Sequence, residues 1–186
     1  LLAPLLAGAQ ESDTAEFIRP PYLHRGDTVG IVSPAGKLPL NTDTAKIRER
    51  FASWGLHVKF GVHCADREQP YFAGTDEERA ADLQAMIDDP SVKAVIACRG
   101  GYGLLPLADL ARLHEEPKWV VGFSDITMLH LALRKLRIES IHGPMPSGFR
   151  FDGEEDPSAE SLRQALFGET ECIEVEPHPL NQPGTA

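Results

Sequence analysis

Residues 118–127 read Lys118-Trp119-Val120-Val121-Gly122-Phe123-Ser124-Asp125-Ile126-Thr127, and this stretch decides the fold class. Its first half is a short, apolar, β-branched run, the pattern of a strand buried on both faces. Its second half passes without a spacer into a segment in which Ile126, Leu129, Leu133 and Leu136 recur at helical spacing, which predicts a helix over 125–137. A strand that turns at once into a helix is the repeating unit of an α/β protein.

The same unit recurs on both sides. Upstream, Val92 to Cys98 is apolar almost throughout and runs straight into Arg99-Gly100-Gly101-Tyr102-Gly103, after which a helix is expected through about His114. Before it, Thr75-Asp76-Glu77-Glu78 is a capping box: the Thr75 hydroxyl accepts from the Glu78 backbone N–H and the Glu78 carboxylate reaches back. The helix it opens carries Leu83, Met86 and Ile87 on one face and ends before Pro90. Earlier still, Thr28 to Ser33 predicts a strand closed by Pro34-Ala35-Gly36, and His57 to Gly61 a second strand. Between them Asn41 or Thr42 is placed to cap a helix through about Trp54, with Gly55 as its stop. Downstream, Ser140 to His142 predicts a short fifth strand and Ser158 to Phe167 a last helix. Nearly continuous apolar strands alternating with helices imply a mainly parallel sheet with helices on both faces, a flavodoxin- or Rossmann-like three-layer α/β fold. Ligands of such sheets sit at the carboxyl ends of the strands, where the loops after the third and fourth strands open.

At 186 residues the chain suffices for one domain with a real core. A net charge of −10 argues against a nucleic-acid partner, because phosphate binding needs clustered Lys and Arg. No apolar run is long enough to span a membrane as a helix. Cys64, Cys98 and Cys172 are widely spaced, without CxxC pairing, and read as reduced or buried rather than as a zinc site or disulfide framework. Residues 1–19 read as a leader: Leu1 to Leu6 is apolar and Ala7-Gly8-Ala9 resembles the end of a secretory signal, although a basic start is missing. If it is a signal remnant the protein is exported to the periplasm; otherwise it is cytoplasmic. Pro20-Pro21 is expected to open the folded domain, residues 20–170, and residues 171–186 read as the start of a linker.

Ser124 is the first candidate for chemistry. A strand-to-helix turn lifts a hydroxyl off the sheet and aims the N–H groups of the new helix at the same space, as a nucleophile requires. The same position suits a helix N-cap. The pattern by itself favours the cap, since G-x-S-x-G lacks its last glycine and position 126 is Ile. Arg99-Gly100-Gly101-Tyr102-Gly103 offers unhindered backbone donors, as an oxyanion hole or phosphate cradle needs, but it matches neither a Walker loop nor G-x-G-x-x-G, and a tight turn explains it equally. His130 lies six residues past Ser124, on another side of the following helix, and His142, at the end of the fifth strand, reads as a substrate contact or, in preference, as a hydrogen-bonded structural histidine. No Asp or Glu is placed by spacing to orient a base. The tract Asp152-Gly153-Glu154-Glu155-Asp156 lacks the spacing of a calcium loop and reads as a solvated loop, so no metal and no cofactor is implied.

Taken in order, Pro21 with Gly26 to Gly36, then Arg99 to Gly103, then Gly122 to Thr127, then His142-Gly143-Pro144-Met145 resemble the motifs of the LD-carboxypeptidase family, which includes self-immunity peptidases against microcin-type antibiotics. The likeness runs from about Pro20 to Phe149. It implies a serine peptidase of bacterial cell-wall metabolism that removes the terminal D-alanine from murein tetrapeptide. By the resemblance, Ser124 is the nucleophile, the backbone N–H of Asp125 and one from Gly100-Gly101 form the oxyanion hole, and Arg99 and Tyr102 flank the substrate. It also implies that a Glu and a His come from a C-terminal domain that this chain lacks, so that the chain alone is catalytically incomplete. Members are often homodimers. A non-catalytic ligand-binding α/β domain, with Ser124 as a cap, is the alternative from another class.

Overall fold

The computed structural model describes residues 16–65, 70–109, 117–169, 178 and 180. Strands β1 (Thr28–Val32), β2 (His57–Phe60), β3 (Val92–Ala97), β4 (Trp119–Gly122) and β5 (Ile141–His142) form one sheet in the order β2-β1-β3-β4-β5. Every pairing is parallel. Helices α1 (Thr44–Ser53), α2 (Asp76–Asp88), α3 (Thr127–Lys135) and α4 (Pro157–Phe167) cover it.

Successive strand side chains point to opposite faces, so each strand feeds two cores. On one face Val29, Ile31, Ala94, Ile96 and Val121 pack with Ile47 and Phe51 of α1 and Leu162 and Leu166 of α4. On the other, Val32, Val95, Ala97 and Val120 pack with Leu83 and Met86 of α2 and Leu129 and Leu133 of α3. This is the three-layer α/β arrangement expected from the apolar strands, and the direction of the strand order reverses between β1 and β3.

Local chemistry sets the helix ends. The Thr75 capping box is present, with Glu78 N–H donating to the Thr75 hydroxyl at 3.3 Å and Thr75 N–H to the Glu78 carboxylate at 2.8 Å. Helix α1 is capped by Asp43 rather than Asn41 or Thr42: a turn closed by Thr42 N–H on the Pro39 carbonyl carries those two outside, and Asp43 Oδ1 accepts from Ala45 N–H at 2.9 Å. Leu136 was expected on the buried face of α3 and is 48% exposed. The helix stops at Lys135, Arg137 takes φ 56°, and Ile138 fills the buried place instead.

The fold starts before Pro20. Ile18 forms a parallel bridge with Ile138, its N–H donating to the Arg137 carbonyl at 2.7 Å and its carbonyl accepting from Glu139 N–H at 2.9 Å. Residues 1–15 of the expected leader, the segment 110–114 of the helix expected after the glycine loop, and the linker apart from His178 and Leu180 lie outside the described residues. In the described part of that expected helix the glycine loop leads into a 3₁₀ turn over Leu105–Asp109.

Candidate active site

Three loops meet at the carboxyl edge of the sheet: Ser33 to Gly36 after β1, Cys98 to Leu104 after β3, and Phe123 to Asp125 after β4. Ser124 has φ 63°, in the left-handed region that a residue with a Cβ rarely occupies. Such a conformation costs about 1–3 kcal/mol and persists only where the surroundings hold it. Ser124 is exposed, and its hydroxyl has no hydrogen-bond partner among the described residues. The residue before the first turn is Phe123, and no side chain caps that turn, so the N-cap role open from the pattern does not hold.

The turn is held from three sides. Ile126 packs against the backbone of Gly122, where a Cβ would sit 2.9 Å from its side-chain carbons. His130 Nε2 bonds the Gly122 carbonyl at 2.9 Å. The Asp125 carboxylate accepts from Leu104 N–H at 2.8 Å, tying the serine turn to the end of the glycine loop. Asp125 was expected to contribute its backbone N–H; its side chain has this second task.

The glycine loop lies directly against the serine. A Cβ on Gly100 would fall 2.9 Å from Ser124 Cβ and 3.3 Å from its Oγ, so only glycine leaves room there. Gly101, at φ 130°, has no room for a Cβ because the Tyr71 hydroxyl fills that space. That hydroxyl accepts from Tyr102 N–H at 3.2 Å. The Gly100 carbonyl accepts from Gly36 N–H at 3.1 Å, which leaves it facing the β1 loop. Tyr102 is exposed and stacks on Tyr71 with centroids 4.2 Å apart, and Phe72 stands edge-on to both. The exposed Arg99 guanidinium carbon lies 5.9 Å from the Tyr71 ring centre. The structure therefore brings Ser124, Gly100, Gly101, Asp125, Arg99 and Tyr102 to one edge.

Neither His130 nor His142 bonds the serine. His130 is half-buried; because a carbonyl only accepts, its Nε2 carries the proton, and Nδ1 accepts from the Ser140 hydroxyl at 2.9 Å. His142 was expected to be hydrogen-bonded and structural; its side chain is exposed and has no hydrogen-bond partner among the described residues, its ring lying 6.2 Å from Phe123 and 6.0 Å from His130. β5 ends at this residue, which pairs with Gly122 at the end of β4.

Burial lowers the pKa of His130 below its ordinary 6.5, the Gly122 carbonyl opposing and the His142 charge assisting. The unfolded chain then binds more protons than the fold below pH 6.5, so this contribution is complete above that pH and is lost as pH falls toward the lower folded value. Denaturant midpoints of His130→Asn should therefore fall less than wild type between pH 7.5 and pH 5.5; parallel declines would contradict it.

Several residues at this edge carried no sequence signal. The Ser33 hydroxyl donates to the Cys64 carbonyl at 2.8 Å and lies 3.2 Å from Cys64 Sγ and 2.9 Å from Cys98 Sγ, so two cysteines 34 positions apart in sequence converge as buried free thiols under the glycine loop. Burial pushes the Cys98 thiol pKa up, while hydrogen bonding from Cys98 moves that of Cys64 down. Cys172 lies outside the described residues. Tyr71 and Phe72 come from the loop before α2, where only a strong aromatic pair in a polar segment hinted at them. In the acidic tract, Asp156 caps α4 by accepting from Ala159 N–H at 3.0 Å and also accepts from Arg150 N–H at 2.8 Å, while Asp152 pairs with Arg150.

Comparison with known proteins identifies the family. Residues 29–143 match the sequence profile of the LD-carboxypeptidase N-terminal domain. A Streptomyces coelicolor protein named as a carboxypeptidase is 42% identical over 159 residues, covering 82% of this chain and 51% of that protein. A Bacillus subtilis protein named as a murein peptide carboxypeptidase is 37% identical over 163 residues, 85% of this chain and 50% of its own length. The crystal structure of an MccF-like protein from Bacillus anthracis superposes with a TM-score of 0.70 at 27% identity, over 80% of this chain and 47% of that one. The chain thus spans about half the length of the relatives it matches. With the profile covering more than half of its residues, the chain belongs to the LD-carboxypeptidase family, which it matches through that family's N-terminal domain.

Proposed function

We propose that the protein is a serine carboxypeptidase that hydrolyses an LD-peptide bond and releases terminal D-alanine from murein tetrapeptide. The observation that carries this reading is the left-handed backbone of Ser124 with its exposed hydroxyl packed against Gly100. A nucleophile held in strain beside bare backbone donors is costly for a structural turn and useful for acyl transfer. The names of the carboxypeptidase relatives support the reaction class.

In this reading Ser124 Oγ adds to the scissile carbonyl and its proton passes to a base. The N–H groups of Asp125 and of Gly100 or Gly101 hold the oxyanion. Collapse breaks the C–N bond, the D-alanine amine takes the proton, and water repeats the sequence to free Ser124. A carboxypeptidase must also recognise a free carboxylate, and Arg99, next to Gly100, offers a fixed positive charge, with Tyr102 as an aromatic wall. In this reading the base is a Glu–His pair from outside the described residues.

The test is release of D-alanine from murein tetrapeptide by the full-length gene product, followed by a coupled D-amino-acid oxidase assay. The expected result is release from the LD-tetrapeptide and none from its LL counterpart. Turnover of a peptidyl nucleotide in place of the tetrapeptide, or of neither, would overturn the substrate assignment.

A further inference from the structure

Arg79 sits on α2, 45 residues from Ser124, and its side chain is fully buried at 1% exposure. A buried cation is unfavourable unless it is paired, and an apolar side chain of similar length would pack there without that penalty. What the arginine reaches explains its presence. Nη1 donates to the Pro34 carbonyl in the loop after β1 and, at 3.0 Å, to the Gly103 carbonyl in the loop after β3. Nη2 donates to the Asp76 carboxylate one turn earlier on its own helix. The guanidinium lies over the Phe72 ring, its carbon 4.4 Å from the centre. Phe72 in turn stands edge-on to Tyr102, and its ring fills the space a Cβ on Gly103 would need.

Both carbonyls lead to the serine. Gly103 is followed by Leu104, whose N–H donates to the carboxylate of Asp125, the residue after Ser124. Two residues beyond Pro34, Gly36 N–H donates to the Gly100 carbonyl, which fixes the plane of the Gly100–Gly101 peptide and so the direction of the Gly101 N–H. One guanidinium nitrogen, Nη1, thus clamps both flanks of the glycine loop, while Asp76 holds Nη2.

We propose that Arg79 is a positioning residue that sets the direction of the oxyanion donors of Gly100 and Gly101 relative to Ser124, through Pro34 and Gly103 and without touching substrate. The inference rests on the reading of Ser124 as nucleophile and of the glycine loop as oxyanion hole. It predicts an effect on transition-state stabilisation rather than on substrate binding, because donors misaligned by a fraction of an ångström hold the ground-state carbonyl nearly as well.

The experiment uses the full-length protein and four variants, Arg79→Lys, Asp76→Asn, Phe72→Leu and Ser124→Ala. Folding is checked by thermal unfolding; the rate of fluorophosphonate labelling is measured together with kcat and KM on LD-tetrapeptide. Lysine keeps the charge but is one bond shorter than arginine and has neither a planar group to lie on Phe72 nor a second nitrogen for Asp76, so Arg79→Lys should remain folded while labelling and kcat fall about 10- to 100-fold and KM stays within about twofold. Asp76→Asn leaves both loop bonds in place and should stay within about threefold of wild type. Should the lysine variant unfold, Phe72→Leu, which removes the plane under the guanidinium, carries the test with a fall of about tenfold in labelling. A folded Arg79→Lys protein that labels at the wild-type rate, or whose loss lies in KM alone, overturns the proposal. Failure of the underlying reading is separately visible, since wild type would then show no labelling that Ser124→Ala removes.

Discussion

Ser124→Gly and Ser124→Ala should both abolish hydrolysis, and the glycine variant should be the more stable of the two by about 1 kcal/mol. At most positions alanine is favoured over glycine, because glycine loses more conformational freedom on folding. At φ 63° the order reverses, since the Cβ of alanine keeps the clash that serine carries and glycine removes it. Turnover should fall by at least about 10⁴-fold in each, the scale at which removal of a nucleophilic serine acts. Urea midpoints and D-alanine release measure the two effects on the same samples. Equal stability of the two variants would mean that the turn bears no strain; residual turnover within about tenfold of wild type would mean that the hydroxyl is not the nucleophile.

Gly100→Ala should cost about 100- to 1000-fold in kcat with little change in KM, the range seen when one oxyanion donor is lost. The added methyl would lie 2.9 Å from Ser124 Cβ and 3.3 Å from Oγ, so either the serine turn or the loop must shift. The serine turn is fixed by Ile126 and by the His130 bond to the Gly122 carbonyl, which leaves the loop to move and its donors to turn away from the reacting carbonyl. Backbone strain is not the cause, because Gly100 is absent from the residues with positive φ, unlike Gly101 and Gly103. Steady-state kinetics on the LD-tetrapeptide checks this. A rise in KM with kcat unchanged would place Gly100 on the binding side of the site and not at the oxyanion.

The fold was legible because its signals are local. The continuous apolar runs of β1, β3 and β4, the Thr75–Glu78 capping box and the glycine loop directly after β3 each depend on neighbours within a few residues. Where a boundary moved, a local contact moved it: the turn at Pro39–Thr42 shifted the α1 cap to Asp43, and the left-handed Arg137 ended α3 before Leu136 could be buried. The candidate site was legible only in its backbone parts. Ser124 and Gly100 to Gly103 announce themselves by glycine and by the abrupt strand-to-helix change. The side chains that hold them do not. Tyr71 reaches Tyr102 across 31 positions, Cys98 meets Ser33 across 65, and Arg79 reaches Pro34 across 45. Pairings at such separations are set by strand order, and an isolated Arg or Tyr in sequence carries no mark of them. The nucleophilic reading itself came from the four motifs in order; pattern at Ser124 alone pointed to a cap, and the backbone angle and unbonded hydroxyl remove that role.

The most direct test of the account is the site of covalent modification by a fluorophosphonate in the full-length protein, mapped by peptide mass spectrometry. The account predicts one adduct per chain, on Ser124, absent from Ser124→Ala and slowed in Gly100→Ala. An adduct on another residue, or D-alanine release that persists undiminished in Ser124→Ala, would contradict it.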